Sequence, residues 1–208
     1  MNRRHFLQSL SIAAGLPAIS AAAGRFAEPL LLDPFPTHRQ ETPYTCGPAA
    51  VKLALSFLGH EAPEAEIAKR MGTNGLWGTS NGQLLCAYKK YLAELSTGFT
   101  AAIFTGDKFS PDFVADNLAA RRPLIASFLT ENHFNPGHAV GHYIVIIGVD
   151  LQAETFTLAN PFGRTDVMPI DRFFRLAAWS PKPGDLPGVK SRLPRFHVPR
   201  TAVALVKV

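Results

Sequence analysis

The feature that most constrains this chain is a change of hydrophobic period near its middle. Before residue 121 apolar residues recur at helical spacing; after it they alternate or run together, as strands do. Residues 46–58 read as a buried helix through Ala49, Ala50, Leu53, Ala54, Phe57 and Leu58, with Pro48 tolerated in the first turn. Residues 63–71 read as a short amphipathic helix with Glu64 and Glu66 in its first turn, where the helix dipole favours acids. Thr79 or Ser80 caps a third helix running to about Leu95, and Ser110-Pro111-Asp112 opens a fourth to Arg121.

Strands are expected over 124–129, 142–149, 155–158, 165–170 and 201–208, with credible turns at 150–153 and 160–163. A loop over 130–141, a short helix over 171–177 and a five-proline excursion over 180–200 complete the second half. Helices first and antiparallel strands afterwards make the fold class α+β, not a βαβ repeat. At 208 residues with 47% hydrophobic side chains, the chain has enough apolar surface for one real domain plus a removable leader.

Residues 1–23 are expected to be that leader. Arg3-Arg4 precedes Phe6-Leu7, a weakly apolar stretch broken by Gly15 and Pro17 follows, and Ala21-Ala22-Ala23 offers a small-residue cleavage site. The paired arginines resemble the bacterial twin-arginine export signal, which implies an exported, periplasmic or extracellular protein and the twin-arginine machinery as a partner. Residues 24–38 form a proline-bearing lead-in, and 39–208 the domain itself. No later run is long and apolar enough for a membrane span. The net charge of +5 shrinks when Arg3 and Arg4 leave, and no block of Lys and Arg occurs, which argues against nucleic acid.

The chemistry centres on Gln40-Glu41-Thr42-Pro43-Tyr44-Thr45-Cys46-Gly47-Pro48-Ala49-Ala50. A thiol at a helix mouth meets unpaired N–H groups that stabilise thiolate and lower its pKa. Gly47 is expected to leave room for a substrate beside the sulfur. Gln40, six residues upstream, can donate to an oxyanion beside the Cys46 N–H, as acyl transfer requires. A thiol nucleophile also needs an imidazole. His142, at the start of the most apolar strand, is preferred over His138 in the preceding loop, while His38, His60 and His197 read as surface or loop residues. Asn160 ends the next strand, so a hairpin returns it beside His142, where its amide oxygen can accept from the ring; Asp150 lies at the far end of that hairpin. A zinc site among His133, His138 and His142 lacks a cysteine pair or carboxylate partner, so neither metal nor cofactor is expected. Cys86 reads as a buried, inert thiol, with a Cys46–Cys86 bridge as the alternative.

Gln40, Cys46, His142 and Asn160 occur in the order and context of papain-like cysteine peptidases. The local text resembles the C39 branch, the bacteriocin-leader peptidases and their stand-alone C39-like relatives. Trp77-Gly78-Thr79-Ser80, Arg122-Pro123-Leu124-Ile125, Gly141-His142-Tyr143 and Asn160-Pro161-Phe162-Gly163 carry the likeness with residues 40–50. The resemblance implies a papain-like fold and thiol hydrolysis of a peptide or other amide. That branch more often carries Asp where Asn160 stands, and Asp where Thr45 stands. Two further readings keep the same residues: a peptidoglycan amidase, or a γ-glutamyl transferase resembling the phytochelatin synthases. A third is a catalytically idle peptide-binding module.

Overall fold

The computed structural model describes residues 25–132, 135, 137–182, 184–189 and 199–208. The leader expected at 1–23 therefore lies outside the described residues, as do His133 and His197. A two-residue strand β1 (Leu30–Leu31) precedes three helices, α1 (Cys46–Phe57), α2 (Glu64–Met71) and α3 (Asn81–Glu94). Strand β2 (Phe99–Thr105) and helix α4 (Pro111–Ala119) follow. Then come β3 (Leu124–Glu131), β4 (Ala139–Asp150), β5 (Thr155–Asn160), β6 (Arg164–Pro169), α5 (Ile170–Ala177) and β7 (Thr201–Lys207).

The strands form one sheet in the order β2-β7-β3-β4-β5-β6, every neighbour antiparallel, with β1 paired to β4 beside this path. The α+β expectation holds, and each expected helix and strand is present within a few residues. Two strands escaped the sequence. Strand β2 lacks an alternating pattern strong enough to read, and its pairing with β7 joins residues about a hundred positions apart. Residues of the lead-in also enter the sheet: Leu30 and Leu31 face Val149 and Gly148, and Leu32 is buried. Gly148 makes that close approach possible, because a Cβ there would lie 2.9 Å from both Leu31 Cδ1 and Thr157 Cβ. It sits at the bulge between β4 and β5.

Helix starts follow local chemistry. Ser80 caps α3 in a full capping box with Gln83, and Ser110 accepts from the Phe113 N–H at the start of α4. Helices α1 and α4 pack on β4, the central strand, and α5 packs on β3. Beneath them an aromatic cluster fills the core: Phe173 meets Phe156 edge-on at 5.3 Å and stacks with Phe128 at 5.8 Å. The loop expected over 130–141 is shorter than its composition suggests, because β3 runs on to Glu131 and β4 begins at Ala139. The described part of the proline-rich excursion is held by buried Asp185, which accepts from Arg175 at 2.8 and 2.9 Å and from the Lys182 N–H.

Candidate active site

Cys46 is the first residue of α1, and no side chain caps that helix. The Thr45 hydroxyl is turned back into the loop instead, accepting from the Thr42 N–H at 3.1 Å and donating to the Thr42 carbonyl at 3.2 Å. First-turn N–H groups therefore remain for the sulfur: those of Cys46 and Gly47, joined by the Tyr143 N–H from β4, all favour thiolate. Burial favours the neutral thiol more strongly, and the negative charge of Glu64 adds to it, so the Cys46 pKa is raised. The lowered pKa expected from the helix terminus is thus reversed, because desolvation outweighs the dipoles. A thiol in this state needs a base to ionise it.

One other expectation about the thiols changes. Cys46 is half-buried and Cys86 exposed, and both are free, so there is no bridge. Cys86 lies off the buried stripe of α3, which runs through Leu84, Ala87, Tyr88, Tyr91 and Leu92. Gly47 does not open space for a substrate: a Cβ there would lie 3.0 Å from the Thr79 side chain, so the glycine lets α1 pack against the start of α3.

His142 stands within β4, opposite Phe128, rather than at the strand's first residue. It is 3% exposed, stacked on Phe162 at 4.4 Å with 13° between the rings. Its Nε2 meets Asn160 Oδ1 at 2.9 Å. The same oxygen accepts from the Phe162 N–H at 3.0 Å, while Asn160 Nδ2 donates to Asp166 Oδ2 at 2.6 Å. These contacts fix the amide's orientation, so the His142 proton sits on Nε2. Asp166, on β6, is a residue the sequence reading missed. Its signal was the short turn at 160–163, which returns β6 antiparallel to β5 and sets Asn160 across from Arg164. Arg164 Nε in turn donates to Asp166 Oδ1 at 2.8 Å. His138 is exposed beyond β3, its carbonyl accepting from the Asn132 N–H.

Gln40 is buried between two anchors. Its N–H donates to the Pro161 carbonyl at 2.7 Å, tying the loop to the turn after Asn160. On the other side Glu64, fully buried at the start of α2, accepts from the Glu41 N–H at 2.9 Å and meets His38 Nε2 at 2.5 Å. His38 is therefore no idle surface residue. Glu64, His38 and Glu41 are also the described residues closest to a metal-ligand set, with donor atoms within 4.8 Å of one another. Both Glu64 oxygens already have partners there, so the group works as a latch. The Gln40 Nε2 donates to the Thr42 carbonyl at 2.6 Å.

Gln40, Cys46 and His142 line one cleft of about 590 Å³, with Tyr143 beside Cys46. The Tyr143 hydroxyl donates to Asn81 Oδ1 at 2.7 Å, joining β4 to the start of α3 across the cleft floor. Burial and the neighbouring sulfur raise its pKa well above the ordinary phenol value.

Helices packed on an antiparallel sheet, with a cysteine opening the first long helix and a histidine presented from the sheet, define the papain-like cysteine peptidase fold. The model of the Peptidase_C39 like family matches residues 32–180, and the chain belongs to that family. No curated protein matches its sequence. Among solved structures it is similar to a chain described as a C39-like peptidase from Bacillus anthracis, at 17% identity and a TM-score of 0.59, over 87% of this chain and 98% of that one. It is also similar to the peptidase domain of Streptococcus ComA, a bifunctional ABC transporter of a quorum sensing pathway. That match has 17% identity and a TM-score of 0.55, over 84% and 99% of the two chains. A double glycine motif protease from an AMS/PCAT transporter, in complex with a leader peptide, matches at 13% identity and a TM-score of 0.51, over 84% and 92%. These likenesses concern the fold.

Proposed function

We propose that the chain is an exported cysteine peptidase that cleaves an amide bond through a thioester acyl-enzyme. The observation that carries this reading is the oriented His142–Asn160 pair, bonded at 2.9 Å, on the cleft that also holds Cys46. With Nε2 committed to Asn160, Nδ1 is the nitrogen that takes the Cys46 proton. The sulfur bonds the carbonyl carbon, and the carbonyl electron pair moves to oxygen. That oxyanion is met by the Cys46 N–H and by the second Nε2 proton of Gln40, the first being held by Thr42. Collapse breaks the C–N bond, and His142 returns its proton to the leaving amine. Water then gives a proton to His142 and attacks the thioester, and the departing sulfur recovers a proton. Asp166 acts from behind: its charge polarises the Asn160 amide and makes Oδ1 a better acceptor for imidazolium.

The lining of the cleft favours peptide hydrolysis over the transferase reading. Among the described residues it holds no Asp, Glu, Lys or Arg, whereas a γ-glutamyl donor presents an amino group and carboxylates that need counter-charges. Export rests on the pattern of residues 1–23, and the twin-arginine machinery is the partner that pattern implies. Among the described residues no helix is long and apolar enough to cross a membrane.

The test uses a Cys86→Ser background, because exposed Cys86 reacts with alkylating agents on its own. Iodoacetamide is expected to alkylate Cys46 near neutral pH. His142→Ala is expected to slow this about a hundredfold at pH 7, since the raised Cys46 pKa leaves little thiolate without a base. The rate then recovers only at alkaline pH. Equal rates with and without the imidazole refute the assignment.

A further inference from the structure

The turn between α2 and α3 is built to hold two large apolar side chains in water. Asn74 and Gly78 exchange backbone hydrogen bonds at 2.8 and 3.2 Å. Asn74 Oδ1 accepts from the N–H groups of Leu76 and Trp77 at 3.0 and 2.9 Å. Gly78 supplies the positive φ of 66° that closes the turn. Its backbone is thus ordered without help from its largest side chains, and Leu76 and Trp77 are each 87% exposed. Both border the cleft that contains Cys46. Of the seven large hydrophobic residues exposed among those described, four line this cleft, the others being Tyr44 and Val140. Apolar surface that stays exposed on a pre-ordered turn, and gathers at one place, marks a binding surface.

We propose that this turn is a substrate subsite, and that the occupant is an extended peptide whose residues flanking the cleaved bond are uncharged and apolar. The proposal rests on the peptidase reading above and narrows it to a substrate class. Two features of the cleft select that class. Leu76 gains only from covering apolar side chains, and most of the Trp77 surface is apolar as well. An acidic or basic side chain entering here loses its hydration and meets no counter-charge among the described lining residues. Among the polar lining residues, the Ser127 hydroxyl and the Asn81 amide N–H suit the polar groups of an extended backbone.

Both tryptophans of the chain, Trp77 and Trp179, line the cleft, so intrinsic fluorescence reports its occupancy. The experiment titrates the Cys46→Ala protein with decapeptides identical except at two central positions, carrying Leu and Phe, Asp and Asp, or Lys and Lys. The wild-type protein is given the same peptides with cleavage followed by mass spectrometry. The Leu-Phe peptide is expected to bind at least tenfold more tightly than either charged peptide. Leu76→Ser and Trp77→Ser, each placed in the Cys46→Ala protein and followed through Trp179, are expected to weaken that binding about tenfold. Equal or tighter binding of a charged peptide, or serine variants that bind the Leu-Phe peptide unchanged, overturns the subsite. Cleavage confined to the charged peptides overturns it while leaving the peptidase reading intact. Selective binding of the Leu-Phe peptide without cleavage by the wild type supports the subsite and removes the peptidase reading.

Discussion

A carboxamide stabilises an imidazolium less well than a carboxylate does, and Asn160 stands where the C39 branch more often carries Asp. In the proposed mechanism Asp166 offsets that difference through the 2.6 Å bond to Asn160 Nδ2. Its charge there polarises the amide toward the imidazolium that forms when His142 takes the Cys46 proton. Asp166→Asn is therefore expected to lower kcat/KM three- to tenfold, on the order of 1 kcal/mol. Adding Asn160→Asp puts a carboxylate directly on Nε2 and is expected to restore it. A loss in Asp166→Asn that Asn160→Asp does not restore assigns Asp166 to structure alone. At this scale Cys46, His142 and Asn160 each sit next to a local signal, a helix start, a glycine and an Asn-Pro turn, while Gln40 is read from its spacing six residues before the cysteine. Asp166 lies three residues beyond the turn at 160–163, and only the pairing of β5 with β6 brings it to the amide.

Elements meet at the Gln40 loop. Helix α2 contributes one buried carboxylate, and through it His38 and Glu41 are clamped on either side of the glutamine. Removing the carboxylate leaves two polar groups, the Glu41 N–H and the His38 ring, without their partner. Glu64→Ala is expected to cost about 2–3 kcal/mol in urea unfolding. Glu64→Gln is expected to cost about 1 kcal/mol, since a carboxamide still accepts from the Glu41 N–H. A loss below that for Glu64→Ala, measured with an unchanged denaturant slope, dismisses the latch. The sequence placed Glu64 correctly in the first turn of a helix but assigned it to the dipole. Nothing local reveals that the residue faces inward, because its partners lie more than twenty positions away. The same holds for Cys86, where helical spacing is read correctly but the buried stripe passes one position to the side.

At the scale of the whole molecule stands the export proposed from the pattern of residues 1–23. Twin-arginine cargo is exported already folded, and this chain holds its sheet together without a disulfide. Replacing Arg3 and Arg4 together by Lys is expected to abolish export of the full chain, scored by fractionating bacterial cells into cytoplasm and periplasm. Recovery of the variant from the periplasm at the wild-type level removes the twin-arginine assignment. The order of helices and strands, the capped helix starts, the hairpin turns and the cysteine at a helix mouth were all written in contiguous residues. Such features depend on periodicity and short-range hydrogen bonding, which a linear text carries directly. The ionisation state of Cys46, the filling of the space beside Gly47, the lead-in's strand and the carboxylates behind Gln40 and Asn160 were decided only in three dimensions. Each of these depends on how much water is excluded and on which distant group arrives, and both are properties of the packed chain.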